Sequence, residues 1–78
     1  IDHFEKVSDR DAALMTRKLA TEEGIFAGNS CGAAIAGALQ LESQIKSTDV
    51  VVIILPDHGS RYVGKVYNDD WMKKNNFL

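Results

Sequence analysis

The sequence predicts an α/β fold built on a βαβ unit of a parallel sheet, and three observations carry that reading. Val50–Leu55 is a run of six apolar residues without in–out alternation, the pattern of a central strand covered on both faces. A shorter apolar run, "IFAG" at Ile25–Gly28, precedes it. Between them "NSCGAAIAGALQLESQIKS", Asn29–Ser47, reads as a helix, so the order strand, helix, strand implies a right-handed crossover.

The first element is a helix with both ends marked, "VSDRDAALMTRKLATEEG" at Val7–Gly24. Ser8 followed by Asp11 fits a capping box, and Asp9 and Asp11 lie where the helix dipole favours negative charge. Ala12, Met15 and Leu19 form the apolar stripe, Arg17, Lys18 and Glu22 face elsewhere, and Gly24 supplies a left-handed C-cap.

The second helix takes Asn29 or Ser30 as its cap. Its first half is almost entirely small, and a glycine inside a helix costs ~1 kcal/mol relative to alanine. Gly32 and Gly37 both accept that cost, which implies a close approach by another element. Past the second strand, Asp57–Ser60 form its carboxyl-end loop, and "RYVGKVY" is read as a brief helix. "NDDWMKKNN" is a last helical turn or two, acids first and lysines last, with Trp71 and Met72 packing on a neighbour.

Composition narrows the function classes. A net charge of −2, with cations scattered singly apart from Lys73–Lys74, argues against nucleic acid. No apolar run approaches the roughly 20 residues that span a bilayer. Cys31 is the only cysteine, so neither an internal disulfide nor a cysteine-rich zinc site is expected, and a reducing cytoplasm fits. Seventy-eight residues suit one small domain or part of a larger one. Two parallel strands do not make a sheet alone. The chain therefore oligomerises or belongs to a larger α/β fold, the second being the favoured reading, and its start at "IDHFEK" without methionine reads equally well as processing or as a cut from something longer.

Two places hold chemistry. Ligands in open α/β sheets bind outside the carboxyl ends of the strands, where Asp57, His58, Gly59 and Ser60 are expected. His58 is the best candidate there, since imidazole donates from one nitrogen and accepts at the other. From spacing alone the commoner outcome is a bland turn in which Asp57 or Ser60 caps the next helix, Gly59 makes the turn and His58 is solvated. The second place is "GNSCG", a helix start able to hold an anion at Asn29–Gly32 or simply to pack closely. Cys31 at that start reads as a small buried apolar residue. His3 carries no signal, and the six lysines read as surface.

"EEGIFAGNSCGAAIAGAL" followed by "VVIILPDHGSRYVGKVYNDDWM" resembles the carboxyl-terminal part of the catalytic domain of the cystathionine β-synthase and cysteine synthase group. These are fold-type II pyridoxal-phosphate enzymes with a three-layer α/β/α architecture. The "LPD…SRY…ND.WM" pattern leans toward the cystathionine β-synthase branch. The resemblance makes residues 1–78 a partial catalytic domain with no second domain. It implies β-replacement on serine or O-acetylserine, with a thiol or sulfide as the incoming group and a homodimeric parent.

It also implies a cofactor contact. In this family the residue after "LPD" or "LPS" usually bears a hydroxyl that bonds the pyridine nitrogen, and that position here is His58. Pro56, Asp57 and His58 are thus the cofactor-binding candidates, with no catalytic residue and no metal site. The family's Schiff-base lysine, phosphate cradle and ring-hydroxyl asparagine lie upstream of the resembling segment, and no lysine here has a matching context. The segment alone is expected to be inactive. Two other functions fit the residues: a non-enzymatic module binding a small anion at Asn29–Gly32, and an assembly element.

Overall fold

A computed structural model describes all residues, Ile1–Leu78. Its elements are α1 (Asp9–Glu23), α2 (Asn29–Gln40), two short 3-10 turns at Glu42–Gln44 and Gly59–Tyr62, and α3 (Asp69–Lys74).

α1 begins and ends on the residues that its sequence marks. The Ser8 hydroxyl accepts from the Asp11 amide at 3.1 Å, and Gly24 closes the helix in the left-handed region at φ 68°. Its buried residues are Ala12, Ala13, Thr16 and Leu19. Met15, expected on the stripe, is only half-buried, and Thr16 takes its place. Thr16 is tolerated inside because its hydroxyl donates to the Ala12 carbonyl at 2.7 Å, so no polar group is left unpaired.

The close approach expected at α2 occurs at Gly32. A Cβ there would collide with Thr16 Oγ1 and the Ala12 carbonyl, so the glycine lets the two helices touch backbone to backbone. Gly37 has only ordinary neighbours in Val7 and Glu5, and no tight approach explains it. The cap of α2 is the Gly28 backbone rather than an Asn29 or Ser30 side chain. Cys31 is wholly buried beside Leu19 and Ala27, as an apolar residue would be. α3 packs through Met72, which is fully buried with Ala13 of α1 and Val66. Asn68 caps it by accepting from the Trp71 amide at 3.0 Å, and Arg17 of α1 is ion-paired to Asp69.

The βαβ unit does not form. Ile25–Gly28 contributes one isolated antiparallel bridge, Ala27 to His58, and Val50–Leu55 has no ladder partner. A strand is made by the hydrogen bonds of its neighbours, and no other segment of these 78 residues pairs with this one in a ladder. The exposures of Val50 to Leu55 are 90, 50, 82, 38, 78 and 37%. That alternation means Val51, Ile53 and Leu55 lean toward the body while Val50, Val52 and Ile54 face outward. Instead of cover on both faces, one face is half covered and the other is bare.

Candidate functional site

The Asp57–Ser60 loop sits at the start of α2, tied to it by Asp57. The Asp57 carbonyl accepts from the Gly28 amide at 3.0 Å and from the Cys31 thiol at 3.3 Å. Its carboxylate takes two further donors: Oδ1 accepts from the His58 amide at 2.8 Å, and Oδ2 accepts from the Tyr62 hydroxyl at 2.5 Å. The Tyr62 bond, followed by the His58 amide, holds the Asp57 carboxyl below its ordinary value. The same bond raises the Tyr62 phenol, because the carboxylate accepts from the protonated form.

Gly28 makes this packing possible. A Cβ there would lie 2.7 Å from Tyr62 Cε2 and 2.9 Å from Asp57 Cβ. The carboxylate therefore stands close to the amino end of α2, which disfavours a free anion at Asn29–Gly32.

His58 is oriented from two directions. Nδ1 accepts from the Ser60 amide at 3.1 Å, making His58, not Asp57 or Ser60, the cap of the 3-10 turn. An acceptor at Nδ1 puts the proton of the neutral ring on Nε2. Phe26 packs against the imidazole in a T-shape, with ring centroids 5.3 Å apart and planes at 83°. Phe26 also leans on Tyr67 at 4.8 Å, and the Tyr67 hydroxyl donates to the Ala27 carbonyl at 2.5 Å. Burial pushes the Tyr67 phenol up. Gly59 is required by the same packing, because a Cβ there would meet the Phe26 ring at 2.5 Å.

Of the three cofactor-binding candidates, only His58 presents a free side-chain donor. Its ring is exposed and Nε2–H has no protein partner, so the loop offers one directed donor. Asp57 spends both carboxylate oxygens inside the loop, and Pro56 is exposed with no N–H to give. Sequence reading missed Phe26, Tyr62 and Tyr67 as supports. The usable signals were Gly28 and Gly59, since each marks a backbone that an aromatic ring covers.

All six lysines are exposed. There is no grouping of His, Cys, Asp and Glu suited to a metal ion, and no helix is long and apolar enough to cross a membrane.

Comparison with known proteins places this geometry in a family. Residues 1–57 match the pyridoxal-phosphate dependent enzymes, a match that includes Pro56 and Asp57 and stops one residue before His58. Among solved structures, the crystal structure of an O-ureido-L-serine-bound mutant of O-ureido-L-serine synthase is similar over 97% of this chain. The identity is 34% and the TM-score 0.78. The chain spans 26% of that protein's length. With most of its length matching the family and nearly all of it superposing on a solved synthase, the chain belongs to the pyridoxal-phosphate dependent enzymes.

Proposed function

We propose that residues 1–78 are the carboxyl-terminal segment of the catalytic domain of a β-replacing enzyme of the cystathionine β-synthase or cysteine synthase type. In this reading His58 forms one edge of the cofactor pocket. The observation that carries it is the free Nε2–H of His58, locked in one tautomer by the Ser60 amide at 3.1 Å. A fixed N–H donor suits the lone pair of a pyridine nitrogen, so the donor set fits that edge of the cofactor.

Pyridoxal phosphate, when bound, supplies the electron sink for removing the α-proton and expelling the β-substituent. This chain's part is narrower. His58 orients the ring edge and, donating from a neutral imidazole, leaves the pyridine nitrogen largely unprotonated, which limits the sink and favours replacement over transamination. Asp57 holds the His58 amide, and Gly28 and Gly59 let α2 and Phe26 close around the loop. Substrates are a serine-type amino acid and a thiol or sulfide, the parent is a cytoplasmic homodimer, and nucleic acid plays no part.

The 78 residues alone are inactive. Desolvation is one way to make an amine reactive at neutral pH, and no lysine here is desolvated, since all six lie on the surface. The test uses the full-length, cofactor-loaded protein with ¹⁵N in the pyridine ring. His58→Ala is expected to move the pyridine ¹⁵N resonance and the visible absorbance. An unchanged resonance removes His58 from the site.

The bare face of Val50–Leu55 supports a companion reading, that the segment also serves assembly by packing under a sheet. It is compatible with the first, since a catalytic domain needs both.

A further inference from the structure

The contact assigned to His58 depends on an imidazole that does not swing, and an exposed side chain on a loop ordinarily does. We propose that Tyr62 is a positioning residue for that contact, its hydroxyl clamping Asp57 so that the loop holds the His58 ring with Nε2–H outward. This rests on the cofactor-edge reading above.

Asp57 is the hub of the arrangement, and its two ends face different elements. Its carbonyl is bonded to Gly28 and Cys31, which fixes it to the start of α2. Its carboxylate is bonded to the His58 amide and the Tyr62 hydroxyl, which fixes the loop that follows. Without the Tyr62 hydroxyl, Oδ2 loses its only side-chain hydrogen-bond donor, and the carboxylate is free to rotate toward water or toward Arg61, whose Nη1 is 3.9 Å from Oδ1. Rotation breaks the bond to the His58 amide. The His58 backbone then loosens, and the Ser60-to-Nδ1 bond that selects the tautomer loosens with it. Tyr62 thus sets the proton of an imidazole that it does not itself bond.

The ring of Tyr62 has a separate task. It lies over Gly28, where any side chain would displace it. Tyr62→Phe keeps that packing and deletes only the hydroxyl, so the two roles separate cleanly. Asp57→Leu is a second variant of nearly the same shape, which removes both carboxylate acceptors at once.

The experiment measures backbone amide exchange and imidazole ¹⁵N resonances of His58 in the full-length, cofactor-loaded protein. Tyr62→Phe is expected to speed exchange of the His58 amide on the order of tenfold. The Nδ1 and Nε2 resonances should converge as the tautomers mix, and the visible absorbance should shift in the direction that His58→Ala shifts it. Asp57→Leu should reproduce all three changes. Wild-type exchange and wild-type imidazole resonances in both variants would overturn the role of Tyr62. A cofactor spectrum indifferent to His58→Ala would instead overturn the reading on which it rests, while the exchange data still judge the clamp.

Discussion

Gly32 of α2 rests directly on Thr16 of α1, with no room for a methyl group between the helices. Gly32→Ala must therefore push the helices apart or disturb the Thr16 hydroxyl bonds to Ala12 and Asn29. The gain in helix propensity, ~1 kcal/mol, opposes an overpacking cost of about 1–3 kcal/mol. Net destabilisation is expected in denaturant unfolding, whereas Gly37→Ala, with ordinary neighbours, should stabilise.

The junction of α1 and α3 separates a packing effect from a charge effect. Met72→Ala removes a fully buried side chain between Ala13 and Val66 and should cost about 2–5 kcal/mol. Asp69→Asn breaks the ion pair to Arg17, but the Asp69 side chain is 64% exposed and the pair is screened. Its cost should be small beside that of Met72→Ala and fade with added salt. A salt-insensitive loss at Asp69 would contradict that ranking.

Acid and alkali should each loosen the His58 loop, for opposite reasons. The Asp57 carboxyl is held below its ordinary value of 3.8, so its contribution is full above that value. It is lost only as pH falls through the lower folded value. The Tyr62 phenol is raised above 10.0, so its contribution is full below 10.0 and disappears as pH rises through the higher folded value. Stability measured against pH should show both flanks in the wild type. Tyr62→Phe should weaken the alkaline flank, leaving the part that the buried Tyr67 phenol contributes, and should weaken the acid one as well.

How much of this was readable in the chain follows from the range of each interaction. The ends of α1 were legible because a cap is a contact between residues three or four apart, and Ser8, Asp11 and Gly24 carry it locally. Gly32 was legible as a close approach, though its partner Thr16 was not, because Met15 fits an apolar stripe better than a threonine does. The strands were the failure. Apolar composition marked Val50–Leu55 as strand material, but a ladder is a property of two segments and its partner is not among these residues. At the site, the position of His58 was legible and its role as a cap was not, since histidine seldom supplies that bond and Asp57 and Ser60 are the commoner choices.

The unpaired run makes a separate prediction for the isolated 78-residue chain. A segment with free backbone edges and an apolar outer face recruits other strands. Light scattering should report concentration-dependent association, reduced by Val52→Lys or Ile54→Lys, which place charge on the outward face. Ile53→Lys, on the half-covered face, should also lower the fold's stability. Equal effects from the three lysines would contradict the alternation.

A crystal structure of the full-length protein with pyridoxal phosphate tests the central claim most directly. The account predicts His58 Nε2 within hydrogen-bond reach of the pyridine nitrogen, about 3 Å, with Nδ1 still facing the Ser60 amide and Tyr62 still on Asp57. An imidazole turned into solvent, with water or another side chain at the pyridine nitrogen, would contradict it.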